Sequence, residues 1–453
     1  MMKWTRKNTK KWYLFKNKNW LKLLGIFFLM TSISYTCSLL KSERRPNVIL
    51  VMADDMGYEC LSSNGSLSYH TPVLDELAQE GIRFTRCFSQ PLCTPSRVKI
   101  MTGRYNYRNY EKFGYLNPNE VTFANVMKDA GYKTCIAGKW QLNGISGEDR
   151  AEGWDDVSRP YHFGFDEYCL WQLDQRGSRY ADPLIIRNGE YLMDGNDRYG
   201  PDLFCEFIID YIERNKDKPF FVYYPMVLVH DPFVPTPDSE EWQIRELRTK
   251  NDPRYFTDMM GYTDKVIGRI IQKLDEEKIR KNTILIFTAD NGTNRSLVSK
   301  TVTGDVPGGK GLTLDTGNHV PLVISWPRKI RKGRVEECLI EFSDFFPTLA
   351  EIAGVNIQTA DGRSFYPLLK GRRYSERDWV FIHYDPMWSD FLNNQRNRYV
   401  RTKDHKLYVD GRFYSPPLDP FERDPISDER ITEDELEIRK NLQQVLDQAP
   451  EWK

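Results

Sequence analysis

The sequence predicts an α/β protein: a large, mostly parallel central sheet sandwiched by helices, followed by a smaller C-terminal subdomain with a short antiparallel sheet. Three observations lead there. The runs NVILVMA, KTCIAG, FFVYYPMVLV, TILIFTA and VPLVISW are continuously apolar rather than alternating, the mark of strands covered on both faces. Helix-like segments lie between them, and strand–helix alternation specifies a doubly wound domain. Past about residue 370 the texture changes to short β-like pieces.

Taken in order, residues 1–22 carry eight basic side chains and no acid, and LLGIFFLMTSISYTC follows as an apolar run too short for a comfortable membrane anchor. A signal peptide over residues 1–37 is the expectation, with export to the periplasm or cell envelope. Its end resembles a lipoprotein cleavage site, where Cys37 would carry a lipid anchor to a membrane; ordinary secretion and a retained anchor are the alternatives. Without those eight residues, 56 Lys and Arg face 64 Asp and Glu, so the remaining chain is mildly acidic and nucleic acid is excluded as a partner. Apolar residues make up 40% of the sequence and aromatics 13%, enough for a sizeable core. Eight cysteines show no metal-binding spacing; in an exported chain they permit disulfides whose pairing the sequence does not specify.

The catalytic-sized domain is expected over residues 46–370 and the subdomain over 371–453. Within the first, TPVLDELAQEG reads as a helix capped by Thr71 with Pro72 in its first turn. PSRVKIMT reads as a short helix with Thr94 as N-cap, Pro95 first and Gly103 as terminator, which puts Cys93 just before its positive end. In the second, WVFIHY, NRYVRT and HKLYVDGRFY are hairpin-like strands, and a charged helix starts near Thr432.

Ligands of open α/β sheets bind beyond the carboxyl ends of the strands. Asp54-Asp55 follows the first run, Lys139 the second, His230-Asp231 the third and Asp290-Asn291-Gly292 the fourth. Asp54, Asp55, Asp290 and Asn291 offer only oxygen donors, which suits Ca²⁺ or Mg²⁺ rather than zinc. The helix start at Cys93 favours negative charge, and Arg97 adds a fixed cation one turn on, so the segment is built to receive an anion.

These residues resemble the type I, formylglycine-dependent sulfatases of the alkaline phosphatase superfamily. RPNVILVMADDMGYE, the run ending CTPSR, IMTGRY, AGYKTCIAGKW, FTADNG and GGKGLTLDTGNHVPLVISWP are similar to that family's landmarks in the same order. The resemblance implies an alkaline-phosphatase-like fold and hydrolysis of sulfate esters, on a carbohydrate or sulfated glycan. It implies that Cys93 is converted by a formylglycine-generating maturation enzyme to 3-oxoalanine, whose hydrate is the nucleophile. Asp54, Asp55, Asp290 and Asn291, together with the modified Cys93, would hold the cation, Ca²⁺ before Mg²⁺. Arg97 and Lys139 would stabilise the hydrate, and His230 with Lys310 would grip the sulfate and protonate the departing alcohol.

Two positions depart from the family pattern. Gln141 stands where a histidine is usual, and an amide cannot accept a proton at useful pH. His319 stands where arginine is usual and reads as structural, and His70, His162, His383 and His405 read as surface or structural histidines. Trp171, Arg176 and Arg179, and His383 near Trp388, are candidates for a sugar-binding rim. The rival readings are a phosphonate monoester or phosphodiester hydrolase on the same fold, and a non-catalytic glycan-binding lipoprotein.

Overall fold

The computed structural model describes residues 44–144, 150–193 and 195–452; the expected signal peptide and Cys37 lie outside them. From Arg45 onward the chain forms one compact unit. Its backbone is an eleven-stranded sheet in the order β12-β2-β11-β8-β1-β7-β3-β4-β5-β6, with β13 also paired to β2. The strands are β1 (Asn47–Ala53), β2 (Ile82–Phe88), β3 (Lys133–Lys139), β4 (Glu167–Trp171), β5 (Ile185–Arg187), β6 (Glu190–Tyr191), β7 (Phe220–Pro225), β8 (Thr283–Ala289), β11 (His319–Ser325), β12 (Arg334–Glu336) and β13 (Ile340–Glu341). A separate hairpin, β9 (Val298–Thr301) with β10 (Gly304–Pro307), interrupts the path from β8 to β11.

The central strands β8, β1, β7, β3 and β4 pair parallel to one another in that order. Every residue of β1 and β8 is buried, as their unbroken apolar runs require. Helices α1 (Pro72–Glu80), α2 (Cys93–Thr102), α3 (Phe123–Asp129), α4 (Gly200–Asn215), α5 (Tyr255–Glu276) and α6 (Phe345–Ile352) accompany the sheet. The VPLVISW run is a strand as expected, but β11 is antiparallel to both β8 and β2. The cause is its connection: the chain leaves β8 at the carboxyl rim, stays there through the β9–β10 hairpin, and re-enters without a crossover helix, so it must run back. The FFVYYPMVLV run is shorter as a strand than in sequence. Pro225 ends β7, and Met226–Val229 continue beside Asp54, with Asp54 N donating to Leu228 O (2.8 Å) and Val229 N to Asp54 O (2.7 Å).

A four-stranded antiparallel sheet follows: β14 (Val380–Tyr384), β15 (Asn397–Arg401), β16 (Lys406–Tyr408) and β17 (Phe413–Tyr414). Side chains alternate across it. Val380, Ile382, Tyr384 and Tyr399 join Phe88, Leu92, Cys93 and Leu339 in one apolar cluster. Phe381 and Val400 face the other way, onto Leu442 and Leu446 of α7 (Glu433–Asp447). The helix starts where the sequence places it, and Thr432 caps α7 in a reciprocal capping box with Glu435.

Candidate active site at the carboxyl rim

Every strand end singled out in the sequence reaches one rim. Asp54 and Asp55 follow β1, Lys139 is the last residue of β3, and Asp290 and Asn291 follow β8. Asp55 sits at φ 62°, a left-handed conformation uncommon outside glycine, and its carboxylate accepts from Asn291 Nδ2 (2.9 Å) and Lys310 Nζ (2.6 Å). Two glycines permit the approach. Gly138 has φ +114°, and a Cβ there would lie 2.0 Å from Pro225 O; a Cβ on Gly292 would lie 1.9 Å from Thr316 O.

The helix starts two residues earlier than expected: Cys93 is the first residue of α2 rather than lying ahead of a Thr94 cap, because Leu92, in extended conformation, precedes the first turn. Thr94 is not the cap: its Oγ1 accepts from Gly114 N instead (3.2 Å). The thiol is buried within 4.8 Å of carboxylate oxygens of Asp54 and Asp290. Arg97, one turn on and on the same helix face, donates to the carbonyls of Lys139 (2.6 Å) and Trp140, tying α2 to the end of β3.

The electrostatics of the rim are those of an incomplete charge set. Lys139 Nζ donates to Asp54 Oδ2 at 2.8 Å, while Asp54 Oδ1 and Asn291 Oδ1 are buried without a hydrogen-bond partner. Burial alone would raise Asp54, but Lys139 foremost, with Arg179 and Lys310 after it, holds that carboxyl below the usual range. Burial raises Asp55, with Lys310 opposing, and raises Asp290, which the charge of Asp54 lifts further. Two orphaned oxygens amid three carboxylates fit a hard divalent cation. Burial also lifts the Cys93 thiol, with Lys139 opposing, so an unmodified Cys93 is held as the thiol.

His230 and Lys310 form a pair 3.0 Å apart. The Asp231 carbonyl, 2.6 Å from Nδ1, can only accept, so Nδ1 carries the ring proton and Nε2 accepts from Lys310. Burial first, then the charges of Lys310 and Arg179, push His230 well below its ordinary range. The ring is neutral, and Lys310, held charged by Asp55 against its burial, is the proton-bearing partner.

A cavity of about 400 Å³ opens onto Cys93, His230 and Lys310. Trp171, Arg176, Arg179 and Trp388 line it, as does Gln141; Phe113, Gln172 and Arg248 also line it and carried no sequence signal. Phe113 stacks on Trp388 with centroids 4.1 Å apart. His383 is not part of that wall: it accepts from Arg398 and packs against Trp452. His319 is structural, stacked between Tyr58 and Phe88 and donating from Nε2 to Thr85 O (2.8 Å). His70 and His162 are exposed, and His405 stacks on Phe413. The seven cysteines among the described residues are free and buried.

The family described as Sulfatase matches residues 46–355, more than half of the chain. The chain belongs to the sulfatase family. The family described as N-sulphoglucosamine sulphohydrolase, C-terminal, matches residues 309–450. Human arylsulfatase A is 31% identical over 380 residues, covering 75% of this chain and 71% of that protein. Human steryl-sulfatase is 27% identical, covering 80% and 75%. Among solved structures, a sulfatase from work on glycosaminoglycan metabolism by Bacteroides thetaiotaomicron superposes with a TM-score of 0.71 at 22% identity, covering 89% of this chain and 99% of that one. A structure in complex with its substrate D-glucosamine-2-N,6-O-disulfate gives 0.68 at 22%, and a phosphonate monoester hydrolase of Agrobacterium radiobacter gives 0.64 at 21%. As a sulfatase, this protein is a sulfuric ester hydrolase with an alkaline-phosphatase-like fold.

Proposed function

We propose that this sulfatase cleaves sulfate esters on a carbohydrate or sulfated glycan at Cys93, after conversion of that residue to formylglycine, beside a Ca²⁺ ion held by Asp54, Asp55, Asp290 and Asn291. The observation that carries the reading is the placement of the Cys93 side chain within 4.8 Å of Asp54 and Asp290 at a rim with two orphaned ligand oxygens. The hydrated aldehyde would supply two hydroxyls on one carbon, one to take the sulfuryl group from the ester oxygen and one whose deprotonation expels sulfate and restores the aldehyde. The cation would supply positive charge to the sulfate oxygens.

The other roles fall to the chain's own groups. Lys139, which donates to Asp54 and acts on Cys93 electrostatically, meets developing negative charge in a buried, preorganised site. Arg97 positions α2 against β3. The departing alcohol oxygen draws its proton from the Lys310–His230 pair, in which the ammonium already donates to Nε2. The cavity walled by Trp171, Phe113 and Trp388 suits the faces of a sugar ring. Export to the cell envelope, by the signal at residues 1–37 with a lipid on Cys37, and a maturation enzyme as partner complete the proposal.

Mass spectrometry of the peptide spanning Cys93, combined with a panel of sulfated mono- and oligosaccharides, tests it. An aldehyde at position 93 and release of inorganic sulfate are expected. The phosphonate monoester hydrolase neighbour makes a phosphonate monoester and a phosphodiester necessary arms of the assay. A preference for phosphorus over sulfur would overturn the reading.

A further inference from the structure

Gln141 leaves the rim without the histidine that the family pattern carries, yet the rim has a cation that the pattern does not account for. Arg179 lies in the loop between β4 and β5 and lines the same cavity as Cys93, Gln141, His230 and Lys310. Its guanidinium carbon is 4.0 Å from the centroid of the Trp171 ring. Trp171 ends β4 directly opposite Lys139 in the ladder, and its indole N–H donates to Gly177 O (2.9 Å), so the platform under Arg179 is fixed to the sheet. The arginine side chain is only 13% exposed.

We propose that Arg179 is a sulfate-binding residue of this site, donating to the oxygens of the ester's sulfate group. The proposal rests on the sulfatase chemistry given above. Arg179 Nη1 stands 3.6 Å from Asp54 Oδ2, too far for a hydrogen bond, and that oxygen already accepts from Lys139 at 2.8 Å. Nη1 is buried with no hydrogen-bond partner. A buried guanidinium donor left unmade is costly, and a planar fork held over a ring matches a tetrahedral oxyanion. Around Cys93, the carboxylates of Asp54, Asp55 and Asp290 face the permanent cations Lys139, Lys310 and Arg179. A divalent cation added to that set leaves a positive excess, which an anionic ligand would offset.

The test uses the full-length, metal-loaded protein and inorganic sulfate as the probe. Calorimetric titration is run on wild type, Arg179→Gln, Arg179→Lys and Trp171→Leu, each checked for folding by thermal melt, alongside kcat and KM on an aryl sulfate. Arg179→Gln is expected to weaken sulfate binding about ten- to a hundredfold and to lower kcat/KM at least as much, with Arg179→Lys recovering part of both. Trp171→Leu is expected to fall between. A sulfate affinity within about twofold of wild type in both Arg179 variants overturns the proposal. That result would mean that Arg179 only balances Asp54 or receives an acidic group of the leaving alcohol. A wild-type protein that binds no sulfate and cleaves neither the aryl sulfate nor any sulfated saccharide of the panel overturns the functional reading itself, and the role of Arg179 with it.

Discussion

At position 93 a thiol and a hydroxyl have different consequences. Cys93→Ser supplies one nucleophilic oxygen and lacks the second hydroxyl that, in the proposed mechanism, expels sulfate. The variant is expected to fold, to release no more than about one equivalent of alcohol per protein, and to retain sulfate on the serine, as intact-protein mass spectrometry would read. Continued turnover would remove the formylglycine step. His319 offers a separate, pH-resolved test. Burial lowers its ring from 6.5 to about 4, with Asp315 opposing. An unfolded histidine therefore takes up its proton first. The stability contributed by the neutral ring is present above pH 6.5 and is lost as pH falls toward 4, by about 2–3 kcal/mol. Urea midpoints of His319→Phe should lose that slope over pH 4–6.5 while wild type keeps it. Glycine at 138 and 292 was present in the quoted motifs, but only the backbone contacts at 2.0 Å and 1.9 Å explain why it must be there.

Elements were legible to the extent that their burial left a pattern in the chain. β1, β3 and β8 are covered on both faces and read as apolar runs. β2 and β4 were missed: IRFTRCF interleaves arginines with buried residues, and EYCLW is a short run opening on a charge. Caps misled for a related reason, since partners distant in sequence replace the local ones. At α1, Asp264 of α5, not Thr71, receives the N–H groups of Val73 and Leu74, each at 2.9 Å, while Thr71 Oγ1 bonds to Ser62. Asp264→Ala should cost about 1–2 kcal/mol in urea unfolding, and Thr71→Val markedly less. The helix that carries Cys93 is anchored by a buried network invisible in sequence. Lys99 pairs with Glu341 at 2.5 Å, and Arg377 bonds Asp344 and lies 3.7 Å from Glu341. Lys99→Met strands a buried carboxylate and is expected to destabilise by about 3–5 kcal/mol. The double variant Lys99→Met/Glu341→Leu should recover a large part of that loss.

For the whole molecule, the proposed metal site would couple folding to ion binding, because Asp54, Asp55, Asp290 and Asn291 come from strands far apart in sequence and meet only when the sheet is complete. Addition of Ca²⁺ at about a hundredfold excess over its dissociation constant should stabilise the fold by about 2.7 kcal/mol, and EDTA should reverse it. Calorimetric melts that do not respond to Ca²⁺, Mg²⁺ or EDTA would remove the metal from the account. Strand-end chemistry made this rim readable from sequence, whereas Phe113 and Arg248 reach the cavity from loops whose course no local pattern sets.

The Cys93 side chain belongs to the apolar cluster closed by Val380, Ile382, Tyr384 and Tyr399 of the C-terminal sheet. Those residues leave the ribosome nearly three hundred positions after it. On the proposed function, an enzyme that converts the thiol would have to reach a nascent or still unfolded polypeptide, and protein harvested natively from a host lacking that enzyme would stay unconverted however long the two are later incubated together.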